Sequence, residues 1–224
     1  MSRLALGIDT SGREAGAALL RGSEVLGARA APGPHSATLL PMVRELLASA
    51  GVTLSSLDVV GVARGPGSYT GLRVGVVTAK VLGRVSGATV MGVPTLEVVA
   101  SLAPAHRSRV VVLLRAYKRR VLTCAFVRSR AGGGFHADGE PCLVEASAAS
   151  LPGEGGPLLV TDALDLVGEG AGAGGLLEVH GPAPEAVALH AVARAATGAP
   201  DESYTLAPDY LRPPSLTLPR KGRS

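Results

Sequence analysis

The segment GPGSYTG, residues 65–71, combines residue types that can bind a phosphate group. It follows a short apolar run and precedes a longer one, which predicts a strand, a glycine-rich turn and a helix. The first N–H groups of a helix are unpaired and the helix dipole is positive there, so such a turn can cradle a phosphate. The candidate phosphate contacts are Gly65, Gly67 and Ser68.

The same segment departs from the motifs that it superficially matches. A Walker A loop needs Gly-Lys followed by Ser or Thr, and the third glycine of a dinucleotide-binding fingerprint comes one residue earlier. Pro66 and Thr70 stand where a nucleophile elbow around Ser68 needs glycines. A structural turn, in which Ser68 or Thr70 caps the helix, is therefore an equal alternative.

A second candidate site is the polar turn that follows the first apolar run. Asp9, Thr10 and Ser11 offer a carboxylate and two hydroxyl groups, which can hold a Mg²⁺–phosphate group from the opposite side of a cleft. The alternative is a turn in which the Asp9 carboxylate binds its own backbone.

Other catalytic patterns are missing from the sequence. The five histidines have no ligand spacing, and the two cysteines form neither a metal motif nor a disulfide framework. No run of about 18 apolar residues predicts a membrane-spanning helix. Because Asp9 interrupts the N-terminal apolar run too early for a signal peptide, we expect a cytoplasmic protein.

The charges are unevenly distributed along the chain. Residues 107–130 hold eight Lys or Arg and no acid, whereas residues 138–202 hold eleven acids and one base. Such asymmetry indicates either a nucleic-acid or protein contact or a solvated strand face, and the second is favoured. Aromatic residues are only 3% of the chain and Trp is absent, which disfavours a base-stacking platform.

The elements that must position the two candidate sites follow the order β-β-β-α-β-α-β-α. Leu4–Thr10, GAALLRG and EVLGARAA predict an antiparallel meander. The next helix is predicted to end at Gly51 and to present one apolar face, formed by Leu39, Leu40, Val43, Leu46, Leu47 and Ala50. Leu57–Arg64 predicts a strand, and a nearly all-apolar helix is predicted over about Thr70–Val85. ATVMGV and TLEVVASLA add a strand and a helix, so the first half predicts a mixed sheet with helices packed on it.

The second half gives a weaker pattern. RVVVLLRA and RVLTCAFV predict two strands joined through residues 117–119, and CLVEA and GPLLVT are further candidates. PEAVALHAVARAATG predicts a helix, with Val187, Ala188, Ala191, Val192 and Ala195 on its apolar face. The last residues, rich in proline and basic side chains, predict a mobile tail.

Four stretches together resemble one family: IDTS at 8–11, PHSATLLPMV at 34–43, GPGSYTGLRVGVVTAK at 65–80 and PDYLRPP at 208–214. The chain is identified by them as a member of the TsaB (YeaZ) family. The resemblance is close over about residues 3–100 and loose between about 104 and 200. It implies an α/β fold of the actin-like ATPase (ASKHA) type, with two RNase H-like lobes, mixed sheets and a reduced second lobe. The implied division is an N-terminal lobe at 1–103, a C-terminal lobe at 104–212 and a mobile basic tail at 213–224.

The resemblance also implies a function. TsaB proteins are non-catalytic paralogues of TsaD in the synthesis of tRNA N6-threonylcarbamoyladenosine (t6A). Thr95 and Val99 align with the metal-binding histidine pair of TsaD, and neither suits a metal ion. Arg115 also stands where the family has Asp, and Thr161-Asp162-Ala163 stands in place of a Gly-Asp-Gly turn. The phosphate contacts Asp9, Thr10, Ser11, Gly65, Gly67 and Ser68 would then be vestigial, with no tightly bound cofactor.

The implied partners are a TsaD-like catalytic subunit and a TsaE-like ATPase, which use ATP and Mg²⁺. A homodimer is expected when TsaD is absent, with tRNA contacted only indirectly and no membrane involved. The family's contact surface is formed by the first-lobe helices, here assigned to Leu39, Leu40, Val43, Leu46, Leu47, Leu72, Val76 and Lys80. The alternative function is a small ATP-dependent kinase-like enzyme of the ASKHA superfamily that uses Asp9 with the 65–68 turn. A peptidase is disfavoured because no nucleophile–base pair is visible.

Overall fold

The computed structural model describes residues 2–129, 134–149, 155–167, 174–198 and 202–210. Two mixed β-sheets lie within these ranges. The first sheet has the strand order β3-β2-β1-β4-β5, and its strands are β1 Leu4–Asp9, β2 Ala15–Arg21, β3 Glu24–Ala31, β4 Val59–Gly65 and β5 Thr89–Pro94. The first three strands form the predicted antiparallel meander, and β4 and β5 continue the sheet in parallel with β1.

Two long helices cover one face of the first sheet. They are α1 His35–Ser49 and α2 Tyr69–Ser86, which ends at Gly87 with a φ of 79°. Alternate residues of β1 point to this face, where Leu4, Leu6 and Ile8 share a core with apolar side chains of both helices. This packing fixes the position of the turn that precedes α2.

The other face of the first sheet is covered from the far end of the chain. The helix α5 Pro184–Ala196 packs on β1, β2, β4 and β5, and α3 Thr95–Ser101 lies beside it. The second core contains three fully buried residues of α5, which are Val187, Ala188 and Ala191. They pack with Ala5 of β1 and with Ala18 and Leu20 of β2. The predicted apolar face of this helix is confirmed.

The second sheet has the order β11-β10-β6-β7-β8, with β9 also paired to β7. Its strands are β6 Arg109–Arg115, β7 Arg120–Arg128, β8 Phe135–Ala137, β9 Cys142–Glu145, β10 Leu158–Thr161 and β11 Leu176–Glu178. A short helix, α4 Leu164–Val167, follows β10. The two strands β8 and β11 were not predicted, because three residues are too few to show a period of two.

The predicted apolar face of α1 is wrong at one position. Leu40 is 53% exposed, and Met42 takes its place in the core at 5% exposure. The buried stripe Leu39, Met42, Val43 and Leu46 follows the spacing of one helix face, whereas Leu40 lies about a quarter turn further round. Pro41 lies in the second turn of α1, because the helix begins at His35.

The predicted lobe division remains a prediction. Both α5 and the segment 202–210 lie against the first sheet although they follow the second sheet in sequence. The predicted tail, 213–224, lies outside the described residues. In the part of the chain that the structure describes, no helix is long and apolar enough to cross a membrane.

Gly7→Ala tests how tightly α5 is packed on the first sheet. A Cβ at Gly7 would overlap the Pro184 carbonyl oxygen and lie 2.8 Å from the Ala188 nitrogen. We expect a loss of about 3 kcal/mol or more in the free energy of unfolding, measured by urea denaturation. The matched control is Gly12→Ala, because a Cβ there meets nothing within 4 Å. A Gly7→Ala chain as stable as this control would contradict the packing.

Candidate functional site

The glycine-rich turn joins β4 to α2. Gly65 has a φ of 120°, a conformation that favours glycine, and the Ser68 hydroxyl accepts a hydrogen bond from the Gly71 N–H at 3.2 Å. Of the two predicted caps, Ser68 is therefore the one used. The Ser68 N–H donates to the Ser11 carbonyl oxygen at 2.7 Å, which ties this turn to the turn between β1 and β2.

The β1–β2 turn fills the space beside the glycine-rich turn. A Cβ on Gly67 would lie 2.5 Å from the Ser11 carbonyl oxygen, and one on Gly71 or Gly75 would overlap Thr10. Within the described residues, the buried Thr10 hydroxyl has no hydrogen-bond partner. The glycines thus allow the close contact between α2 and the β1–β2 turn.

The Asp9 carboxylate is engaged within the protein. Its Oδ1 accepts hydrogen bonds from the Ser11 N–H at 3.0 Å and from the Ser11 hydroxyl at 2.7 Å. Its Oδ2 accepts from the Ala183 N–H at 2.9 Å, directly before α5. Asp9 thus binds the backbone of its own turn, which was the alternative to a Mg²⁺–phosphate site. It also accepts a bond from the residue before a helix that is distant in sequence. Because Asp9 is 4% exposed and both its oxygens are bonded, this donor set does not fit a Mg²⁺–phosphate group.

A cavity of about 1390 Å³ separates the candidate residues from the second sheet. Its walls are formed by the β1–β2 turn, the glycine-rich turn, the start of α1 and the ends of β6 and β10. Thr95 and Val99, the predicted counterparts of the TsaD histidine pair, also line it. Within the described ranges, no three His, Cys, Asp or Glu side chains are placed to hold a metal ion.

On the cavity wall that the second sheet forms, the polar side chains and backbone groups bind to one another. The Arg115 N–H donates to the Asp162 Oδ1 at 2.7 Å, and the Arg115 guanidinium forms an ion pair with Asp165. The Asp162 residue as a whole is exposed, but partial burial of its carboxyl raises the pKa of that group. The hydrogen bond from the Arg115 N–H acts in the opposite direction and lowers the pKa. Arg115, which was predicted to replace an Asp of the family, is thus bonded to two carboxylates that follow β10.

Behind the cavity, charged groups connect α3 with α5. Glu97 lies 3.8 Å from the Arg194 guanidinium, and burial raises the pKa of its carboxyl while Arg194 and Arg64 lower it. Burial lowers the pKa of His190, and the charge of Arg194 lowers it further.

A family model described as TsaD, tRNA N6-adenosine threonylcarbamoyltransferase, matches residues 29–161, more than half of the chain. The chain belongs to this family.

Curated relatives carry the name TsaB. The TsaB of Haemophilus influenzae is 33% identical over 58% of this chain and 56% of its own length. The TsaB of Bacillus subtilis is 38% identical over 43% of each chain. The matches thus span about half the length of these relatives, and they confirm the resemblance to TsaB proteins.

The solved structure of YeaZ from Pseudomonas aeruginosa is similar over 93% of this chain and all of its own, with a TM-score of 0.79 and 24% identity. This likeness shows the fold. Together with the two mixed sheets, it confirms the predicted actin-like ATPase class.

The contact surface predicted from the TsaB family is mostly buried. Leu39, Val43, Leu46, Leu72 and Val76 are each at most 3% exposed. Leu47 is partly buried, and the Lys80 ammonium donates to two backbone carbonyl oxygens. Of the eight residues, Leu40 alone is a large exposed hydrophobic. The buried ones cannot form a surface, because apolar helix faces pack first on their own sheet.

The exposed apolar residues of α2 were missed. Val77, Val81 and Val85 are 59%, 56% and 70% exposed and follow one another at four-residue spacing. They form a stripe on the side of α2 that faces away from the sheet. Their signal in the sequence is the nearly all-apolar composition of this helix, which predicts a buried helix or a partner interface without assigning residues to either.

Several side chains of the basic segment 107–130 are bonded within the chain. Ion pairs join Arg109 to Asp138 at 3.4 Å and Arg120 to Glu145 at 2.7 Å, and the Arg128 guanidinium donates to carbonyl oxygens and lies over the Phe135 ring. These contacts favour the solvated strand face over a nucleic-acid surface. Arg130 lies outside the described residues.

Asp9→Asn tests whether Asp9 is a structural residue. An amide offers one acceptor oxygen, so either the Ala183 N–H or the Ser11 donors lose their partner. We expect a loss of about 1–3 kcal/mol in the free energy of unfolding, measured by urea denaturation. Asp165→Asn, which breaks an exposed ion pair, should cost less than about 1 kcal/mol. Equal stability of Asp9→Asn and wild type would contradict the structural role.

Proposed function

We propose that this chain is a non-catalytic subunit of the complex that makes t6A in tRNA, where it binds a TsaD-like catalytic subunit. The single observation that carries this proposal is the exposed stripe Val77, Val81 and Val85 on a helix of a TsaB-type chain. In this role the chain supports the transfer of a threonylcarbamoyl group from its AMP adduct to N6 of an adenosine beside the tRNA anticodon.

The internal bonds of the candidate site support a non-catalytic role. The Ser68 N–H and the Asp9 carboxylate, which a phosphate-transferring enzyme would turn toward its substrate, bind the Ser11 and Ala183 backbone instead. A group that is already bonded in the folded chain must lose that bond before it can bind a ligand. The glycine-rich turn is then a retained shape that packs α2 against β1.

The stripe on α2 supports a docking role. Large apolar side chains exposed in a row on one helix mark interaction sites more often than isolated exposed ones. A specific interface buries about 800 Å² on each partner, and the outer faces of α2 and α1, which adds Leu40, can supply such an area. We therefore move the proposed contact from the buried residues predicted from sequence to this outer face.

The remaining partners are part of the same proposal. A TsaE-like ATPase joins the complex, the partner proteins use ATP and Mg²⁺, and tRNA is contacted indirectly. The isolated chain forms a homodimer when the TsaD-like subunit is absent. The alternative of a small kinase-like enzyme predicts binding of Mg-ATP by the isolated chain, which isothermal titration calorimetry tests directly.

Val81→Asp should separate docking from folding. Because Val81 is exposed, the variant should stay within about 0.5 kcal/mol of wild-type stability. We expect its dissociation constant for the TsaD-like subunit to rise at least about tenfold, with t6A formation falling at limiting concentrations of this chain. Calorimetry and mass spectrometry of digested tRNA measure the two effects.

Two controls belong to this experiment. Leu189→Asp places the same charge at a 44% exposed position of α5 and should leave binding unchanged. Val43→Asp places it in the core and should unfold the chain, with a cost of several kcal/mol. Wild-type affinity of Val81→Asp would contradict the docking face, and t6A formation that needs no copy of this chain would contradict the function.

A further inference from the structure

The segment 202–210, here called the strap, crosses the first lobe after α5. It covers the free edge of β5, where the Glu202 N–H donates to the Val90 carbonyl oxygen at 3.0 Å and the Gly92 N–H donates to the Glu202 carboxylate at 2.6 Å. Leu206 is 5% exposed and belongs to the core under α2. Hydrogen bonds to β5 and a buried leucine therefore hold the strap against the first sheet.

The strap is also fastened to the outer side of α2. The Lys80 ammonium donates to the carbonyl oxygens of Tyr204 at 3.0 Å and Leu206 at 3.2 Å. The Arg84 guanidinium lies 5.2 Å from the centre of the Tyr204 ring and donates to its hydroxyl group. Tyr204 is nevertheless 75% exposed. When a partner covers an exposed aromatic ring that is already held in place, little side-chain conformational entropy is lost.

A groove of about 180 Å³ lies between α2 and the strap. Val76 and Val77 of α2 form one wall, and residues 206–208 form the other. Tyr210, whose ring centre lies 4.7 Å from that of Tyr69, closes one end. The groove opens beside the exposed stripe and has room for a single apolar side chain, which is the usual form of an interface anchor.

The charges around this groove have one sign. The helix α2 carries Arg73, Lys80 and Arg84 and no acidic residue. The two acids of the strap are engaged elsewhere, since Glu202 bonds to the Gly92 N–H and Asp209 pairs with Arg64 at 3.2 Å. A second copy that docked by the same face would bring these cations against their own equivalents. A partner with carboxylates around an apolar centre is complementary to this surface.

We propose that α2 and the strap form one docking surface for a segment of the partner subunit that is apolar at its centre and acidic at its flanks. One apolar side chain of that segment fills the groove, and its carboxylates face Arg73 and Arg84. This inference rests on the proposed function, since it specifies the partner chemistry and adds the strap to the docking face.

The test measures the affinity of the full-length chain for the purified TsaD-like subunit by calorimetry at low and high salt. We expect Tyr204→Ala to raise the dissociation constant about tenfold, and the double variant Arg73→Glu, Arg84→Glu to raise it further and to remove most of the salt dependence. Tyr204→Phe, which keeps the ring, should bind nearly as wild type does. Arg119→Glu, at an exposed position of the turn between β6 and β7, is the charge control and should bind as wild type does.

The outcomes separate the two proposals. If wild type binds and Val81→Asp does not, while Tyr204→Ala and the arginine variant bind as wild type does, the docking function stands and the strap inference is overturned. If the arginine variant instead dissociates a dimer of this chain and leaves partner binding unchanged, the occupant is a second copy and the inference is also overturned. If wild type does not bind the subunit at all, both proposals fail. Thermal melts of each variant confirm that the compared chains are folded.

Discussion

The close contact between α5 and the first sheet is the constraint on which the rest of this structure depends. A Cβ at Gly7 or Gly61 would overlap the backbone or side chains of α5, so the helix backbone lies almost directly on β1 and β4. Close packing of this kind leaves no room for a side chain and therefore no freedom in the position of the helix. It brings the Ala183 N–H to the Asp9 carboxylate, although 174 residues separate them in the chain.

The same bond decides the character of the candidate site. A carboxylate at the end of a first strand, opposite a glycine-rich turn, is suited in principle to hold a metal-bound phosphate. Here the return of α5 supplies one of its donors and the β1–β2 turn supplies the others. The sequence thus contains residues typical of a phosphate site, but their polar groups form hydrogen bonds between distant segments of the chain.

The first sheet is completed by residues that follow the second sheet in the chain. The strap takes the edge of β5, which would otherwise present unpaired backbone groups, and it lies along α2. This arrangement leaves an outer helix face in which valines, tyrosines and basic side chains alternate. The proposed docking role rests on these two features, the internally bonded cleft and the outer face that exposes apolar and basic groups.

Much of this could be predicted from the sequence. The short apolar run that begins at Leu4 and the turn at Gly22 determine the strands of the meander, since they act over a few neighbouring residues. The composition around Ser68 likewise determines a capped helix start. Periodicity alone left the face of α1 ambiguous, because Leu40 and Met42 are both apolar and only the approach of the sheet selects Met42.

The roles of these residues were decided only by the tertiary structure. Asp9 was identified as a candidate from its type and position, but its partner Ala183 comes from another part of the chain. The strap gives no periodic signal, because its bonds run to β5 and α2 rather than within itself. Local patterns determine which element a residue enters, whereas contacts between distant segments determine whether its polar groups are free to act.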